Sequence, residues 1–460
     1  MNKNKNTTYT MKKLNFILIA LMGAVSLMAQ TNAQGMDSAA VRQLLDEVGK
    51  PQYSSTMELN IDDAISYAIQ QNRSLKNASL AVREAHAKRW QTIASMLPQA
   101  DGTASYTDMC GYEMNFSGMK MAMPPYASHT VTASMALNGQ MIVGALLSNI
   151  AIEMQDISRE QSEDAMRANV KQSYLSVLVM EQVVNLLDSN LINLERLAAQ
   201  ARRMAEVGAT EQTEADKIQV QVNTYNNTVK QYRRNLQLAY NSLRVLLNVG
   251  NDVELSLLTG MDNMLSGEQA LSTLFEEFNI NNNHNYRLLQ KNVDIAKKNV
   301  VMAGLAYTPT MSAAYQFTAK KYLSDEKTFN MQPPHLVSVN VSIPLWSSGK
   351  RAAGVTEKKI ALEEAENTLN ETGDNLAIQY EQLRFNLASA YETYMTDKDN
   401  LNVTQRIFQN MANKYEWGAA SALELTNASS DLISAETTYT NSVMSLVNAQ
   451  IALENFLNNK

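Results

Sequence analysis

Val337-Ser338-Val339-Asn340-Val341-Ser342-Ile343-Pro344 is followed by 116 residues without a proline. In the octet, apolar residues fall on alternate positions, which puts Val337, Val339, Val341 and Ile343 on one face of a strand and Ser338, Asn340 and Ser342 on the other. Past Pro344 the period changes. From Ile360 to Leu457 apolar residues recur at helical spacing, interrupted once at Trp417-Gly418-Ala419-Ala420, so two very long helices meet at a glycine. As one helix, the 66 residues from Arg351 to Glu416 reach roughly 100 Å. Helices of that length hold in water only where a partner helix covers their apolar stripe.

The same plan occurs earlier in the chain. Leu59 to Leu97 reads as one helix of about 35 residues, capped by Asn60 or Asp62 and stopped by Pro98. Ala104 and Tyr106 then alternate with Thr103, Ser105 and Thr107. Beyond a loop rich in Met, Gly and Pro, Val131, Ala133, Met135 and Leu137 alternate with hydroxyl-bearing residues. From Gly144 a rod runs to Glu206, breaks at Val207-Gly208-Ala209-Thr210, and is followed by a helix to about Val249. In the second half Tyr286 to Tyr307 is helical, and Ala313, Tyr315 and Phe317 lie on one face of a strand before the quoted octet. Pro98 and Pro309 lie 211 residues apart, and Gly208 and Gly418 lie 210 apart. A period near 210 indicates a duplicated large unit rather than a solenoid. The expected layout is a first repeat over 57–249, a connector over 250–280 and a second repeat over 281–460.

Composition agrees with long helices: aromatics make up 7%, with 17 glycines, 8 prolines and a single cysteine, Cys110, which excludes a disulfide framework. At the start, Lys12-Lys13 precede an apolar run from Leu14 to Met28 and a small-residue exit, the pattern of a secretory signal peptide over 1–33 cleaved after Ala29 or Ala33, with a linker over 34–56. Fifteen or so apolar residues are too few for a comfortable membrane anchor. The exported chain then has 35 basic and 46 acidic residues, a net charge of −11. Nucleic acid, itself densely anionic, is not an expected partner. No apolar run of 18 residues follows the signal, so no membrane-crossing helix is expected.

Strands of about ten residues, apolar on one face and polar on the other, suit a tilted membrane-spanning sheet with lipid outside and water inside. Such alternation also occurs in soluble antiparallel sheets. In lipid, a sheet must close on itself, and four strands cannot close around water. Three chains would supply twelve strands. A secreted or periplasmic coiled-coil scaffold is the competing reading, and it leaves the four alternating strands without a purpose.

The signal peptide, the tandem halves, Leu97-Pro98 before a strand, and Lys414-Tyr415-Glu416-Trp417-Gly418-Ala419-Ala420-Ser421-Ala422-Leu423-Glu424-Leu425 resemble the TolC-like outer membrane efflux proteins, over about residues 57–460. The resemblance implies a mainly α fold with a small β part: two very long helical hairpins and four transmembrane strands per chain. Three chains close into a 12-stranded β-barrel continued by an α-helical barrel. It further implies a homotrimer in outer membrane lipid of a Gram-negative bacterium, with the helices in the periplasm. The partners implied are a periplasmic adaptor and an inner-membrane transporter, and the role is the exit duct of a tripartite efflux or secretion system. Val207, Gly208, Ala209 and Thr210, with Trp417, Gly418, Ala419 and Ala420, become the periplasmic tip turns. Glu214 and Glu424, each six residues past its glycine, match the family's acidic positions. Tyr415 matches a tyrosine that bonds across to the first hairpin, so Glu214 and Tyr415 are expected in a latch, and Glu424 and Asn427 at the pore constriction. Acids merely solvated on a helix face are the alternative. The chain departs from the family pattern at Ala420, where an arginine is expected, at Asn427, where an acid is expected, and at Met204, where a basic residue is expected.

No catalytic chemistry is expected: there is no phosphate-binding glycine loop and no nucleophile motif. His86, His129, His284 and His335 are scattered and expected on the surface, so no metal site or cofactor is predicted from them. Met109, Met114, Met119, Met121 and Met123 cluster in the first hairpin loop. Thioethers there suit a soft metal such as Cu(I), but suit flexible apolar packing better.

Overall fold

The computed structural model describes residues 53–116, 119–122, 124–259, 272–323 and 333–457. The signal peptide, most of the linker, the middle of the connector and Met123 lie outside the described residues.

Two compact units divide the chain. Among the described residues, the smaller comprises 53–57 and 251–254. Within it, the first residues of strand β1 (Ser55–Leu59) run beside the start of β6 (Val253–Leu257). Ser54 donates from its backbone N–H to the Asp252 carbonyl at 2.7 Å, and Thr56 from its hydroxyl to Glu254 at 3.2 Å.

In the larger unit, the expected first helix is two helices, α1 (Ile61–Gln71) and α2 (Arg73–Ala94). Asn72 breaks it: its backbone is extended (ψ 131°), its side chain caps Ser74 N–H at 2.8 Å, and its amide donates to the Leu246 carbonyl at 3.0 Å. An asparagine offered both a cap and a distant acceptor leaves the helix readily. Leu59 belongs to β1 rather than to the helix, and Asn60 is the N-cap, accepting from Asp63 N–H at 2.8 Å.

Four strands follow the alternation: β2 (Gln99–Thr107), β5 (Tyr126–Leu137), β7 (Thr310–Tyr322) and β8 (His335–Ser342). They form one antiparallel sheet in the order β2-β5-β7-β8, so β2 and β8 each have an unpaired edge in the single chain. Ile343 lies one residue past β8 rather than within it. A short hairpin of β3 (Glu113–Phe116) and β4 (Met119–Ala122) interrupts the first loop, with Met114 opposite Met121.

The long rods are α3 (Gly139–Glu206, 68 residues) and α6 (Lys350–Glu416, 67 residues). Each turns back into a 36-residue partner, α4 (Gln212–Leu247) and α7 (Ala422–Leu457). α3 starts five residues before the expected Gly144, because Asn138 caps Met141 N–H at 2.9 Å. One stretch of α3 is apolar enough to cross a membrane by composition alone, against the expectation of none. That stretch is 39% buried inside the fold, and Val170, Tyr174, Val177 and Leu187 are buried along the same helix. α5 (His284–Gly304) packs on α3 and α6.

The core between the two hairpins repeats in sevens. Leu425, Leu432, Leu446 and Leu453 of α7 form one row, with Tyr439 at the remaining position partly buried against it, and they meet Leu187, Leu194 and Ala201 of α3 and Leu387, Tyr394, Leu401, Phe408 and Tyr415 of α6. A seven-residue repeat is the signature of knobs-into-holes packing, and each buried leucine contributes about 1.5–3 kcal/mol. His284 corrects one expectation. It is buried, and its Nε2 lies 2.8 Å from Asp164 Oδ2, because α5 packs that end against α3.

Candidate functional site

The sheet presents two chemically different faces. In register, Val131 lies opposite Phe317, Ala133 opposite Tyr315, and Met135 opposite Ala313, while Tyr315 and Ala313 meet Val337 and Val339 on β8. Leu137, Met311 and Val341 continue that apolar face. Its large residues are exposed in the single chain, Val337 to 72% and Val339 to 66%. The other face carries hydroxyls that bond to one another. Ser105 and Ser128 meet at 2.8 Å, and Thr130 and Thr318 at 3.2 Å. Burial alternates accordingly: along the second half of β7 the polar positions Ala314, Gln316, Thr318 and Lys320 are less exposed than their neighbours.

At the far ends of α3 and α6 the two glycine turns have one geometry. After α3, Gly208 takes φ +77°, Gly208 N–H reaches the Ala205 carbonyl at 3.0 Å and Ala209 N–H reaches Met204 at 2.8 Å. After α6, Gly418 takes φ +70°, with Gly418 N–H to Tyr415 at 3.0 Å and Ala419 N–H to Lys414 at 2.8 Å. Both are Schellman C-caps, in which two terminal carbonyls are satisfied by a residue in the left-handed region. Val207 and Trp417, just before the glycines, are 79% and 87% exposed.

The acids beyond the turns act differently. Glu424 closes a capping box with Ser421: its Oε2 accepts Ser421 N–H at 2.8 Å, while Glu424 N–H donates to Ser421 Oγ at 3.3 Å. The Ser421 N–H, and then the Ser421 hydroxyl donating to Oε2 at 3.0 Å, hold the Glu424 carboxyl below the usual carboxylate range. Glu214 instead reaches the other hairpin. Its Oε2 accepts Ala422 N–H at 2.9 Å, and its Oε1 accepts Lys217 Nζ at 3.1 Å. Lys217 and then that backbone donor keep it ionised below the usual range. Tyr415 is 7% exposed, and its hydroxyl is pushed up by burial and then by the Glu214 charge. Tyr415 and Glu214 therefore share one neighbourhood without a direct hydrogen bond between them. Glu424 and Asn427 lie one helical turn apart on the exposed face of α7, and Asp431 extends that stripe.

Further contacts between the hairpins were not foreseen. Arg196 of α3 pairs with Glu416 of α6, and Gln221 of α4 donates to Ser429 of α7 at 3.2 Å. Deeper in, Glu436 of α7 is 1% exposed, accepting Asn190 Nδ2 of α3 at 2.5 Å and the Tyr225 hydroxyl of α4 at 2.9 Å. Burial raises the Glu436 carboxyl to about 7, against the lowering effect of its two donors. Burial, with the Glu436 charge beside it, pushes the Tyr225 hydroxyl up. The signal was in the sequence: Ser429, Glu436, Val443, Gln450 and Leu457 recur in sevens, and Glu436 is a charge on a core row.

Solved structures share this fold. CusC superposes with TM-score 0.71 at 17% identity, covering 89% of this chain and 97% of that one. The CmeC outer membrane channel of Campylobacter jejuni gives 0.67 at 15%, covering 86% and 85%. VceC, an outer membrane protein of Vibrio cholerae, gives 0.67 at 13%, covering 87% and 96%. No curated protein sequence matches significantly. The sequence model of the outer membrane efflux proteins matches residues 64–249 and 279–459, one match for each half of the repeat. Two rods ending in paired glycine turns, a two-faced sheet with free edges and a family match over most of its length lead to one conclusion: the chain belongs to the outer membrane efflux protein family.

Proposed function

We propose that three copies of this chain close edge to edge into a 12-stranded barrel in the outer membrane, continued through the periplasm by an α-helical barrel. The trimer would be the exit duct of a tripartite efflux or secretion system, fed by an inner-membrane transporter through a periplasmic adaptor. The observation that carries the reading is the sheet: apolar on one face, hydroxyl-lined on the other, with β2 and β8 unpaired. An unpaired edge in lipid leaves backbone groups unsatisfied at several kcal/mol each, so β8 of one copy pairing with β2 of the next removes the penalty. Apolar side chains left uncovered on the rods, Phe385 at 73%, Ile378 at 67% and Leu238 at 65%, supply surface for neighbouring copies.

On this reading residues 57–249 and 281–460 are the two repeats, with 250–280 as the equatorial connector. Val207 to Thr210 and Trp417 to Ala420 form the tip that meets the adaptor. Glu214, with Tyr415 beside it, latches the first hairpin to the start of α7, while Glu424 and Asn427 face the constriction. The test is extraction and mass. A barrel trimer requires detergent for release, migrates differently before and after heating, and has three times the chain mass. A coiled-coil scaffold leaves the membrane in high salt as a water-soluble protein.

A further inference from the structure

The hydroxyl-lined face of the sheet is nearly free of charge. Among the described residues of β2, β5, β7 and β8, the positions sharing the face of Thr103, Thr130 and Thr318 carry two ionised side chains, Asp101 and Lys320. Asp101 lies opposite Thr132, which in turn lies opposite Gln316, so Asp101 is level with the middle of β7. Lys320, opposite Ser128, is four residues further toward the loop end of the same strand.

Lys320 is also held in place. Its Nζ sits 3.6 Å from the centroid of the Tyr126 ring and 4.8 Å from that of Tyr322, and the two rings meet edge to face at 5.8 Å. An ammonium over two phenol faces is kept against the wall, where a free lysine would sweep through solvent. The next residue, Lys321, lies opposite Ala127 on the apolar face, pointing the other way.

We propose that the barrel part of the duct contains two rings of fixed charge of opposite sign, three Asp101 carboxylates at mid-height and three Lys320 ammoniums nearer the outer mouth, and that these rings set which small ions pass through the barrel. The proposal rests on the trimeric duct reading, because only closure turns one aspartate and one lysine into rings around water. Four residues of strand at about 3.3 Å each separate the two positions by roughly 13 Å along the strand direction. The Debye length is about 8 Å at physiological salt, so each ring acts on passing ions largely on its own. Three like charges around a low-dielectric wall repel their own sign and concentrate the opposite one. Lys320 therefore favours anions, and Asp101 favours cations.

The test is the reversal potential of the purified full chain in planar bilayers, under a potassium chloride gradient at low salt. Lys320→Gln should lower the chloride-to-potassium permeability ratio several-fold, and Asp101→Asn should raise it. Lys320→Arg should keep the original ratio, and so should Lys321→Gln, whose side chain faces away from the water. Should Lys320→Gln fail to assemble, the Asp101→Asn shift still decides the second ring. A conducting wild type whose ratio is unmoved by Lys320→Gln and Asp101→Asn overturns the rings while leaving the duct standing, as does an equal shift from Lys321→Gln. A wild type that never conducts overturns the duct itself, and the rings with it.

Discussion

After α3, Gly208 at φ +77° lets Ala209 close on Met204; after α6, Gly418 at φ +70° lets Ala419 close on Lys414 in the same pattern. Six residues on, each turn offers a glutamate. Glu424 bends back to cap its own helix through Ser421, whereas Glu214 reaches across to the Ala422 N–H of the other hairpin. Duplication has kept the backbone and released the side chains. A Schellman turn demands a glycine wherever it occurs, so both copies retain one. An ionised carboxylate takes whichever backbone donor is nearest, so the two acids have diverged. One hairpin thereby ends in a self-contained cap, and the other ends in a tie to its neighbour.

The strongest way to break that comparison lies deeper, where the two hairpins share one buried carboxylate. Glu436→Ala strands the Tyr225 hydroxyl and the Asn190 amide and should cost about 3 kcal/mol, read as a lowered midpoint of helical circular dichroism in detergent. Glu436→Gln keeps an acceptor and should cost much less. The pH dependence sharpens the point. Glu436 is raised to about 7, so its protonated form favours the fold, and its contribution is complete below the ordinary carboxylate range and lost as pH rises through 7. Glu214 is lowered, so its tie is present above the ordinary carboxylate range and lost as pH falls through its depressed value. Melting across pH should therefore show a decline on the alkaline side that Glu436→Gln removes, and a decline on the acid side that Glu214→Gln reduces.

Next in size are the glycines. A Cβ at Gly208 or Gly418 meets nothing within 4 Å, so alanine at either should cost only the left-handed backbone penalty of about 1–2 kcal/mol, and the same at both turns. Unequal costs would mean that the turns are not equivalent. The smallest effects on stability belong to the acids. Glu214→Ala should cost about 1 kcal/mol and lengthen channel openings by releasing the tie. Glu424→Gln should leave stability almost unchanged, because a glutamine still closes the capping box, yet should change single-channel conductance.

Much of this architecture was legible in the chain. Pro98, Pro309 and Pro344 mark strand boundaries because proline cannot continue a helix or donate within a ladder. Val337 to Ser342 alternates as a strand with one apolar and one polar face, and Gly208 and Gly418 stand where both long helices turn. What escaped depends on partners distant in sequence. Asn72 breaks a helix that periodicity carries straight through, because its amide finds Leu246 across the fold. His284 looked like a surface residue until α5 was set against Asp164. The target of Glu214 is a backbone N–H in the other hairpin, which no side-chain motif announces. Glu436 was readable as a charge on a seven-residue core row, but only once that row had been aligned with Leu425, Leu432 and Leu446.

The central claim is that copies of this chain enclose water across a membrane. Single-channel recording of the detergent-purified protein in a planar bilayer tests it most directly. The account predicts discrete, uniform conductance steps from the oligomer. A bilayer that stays silent at protein concentrations where the oligomer is present in detergent would contradict it.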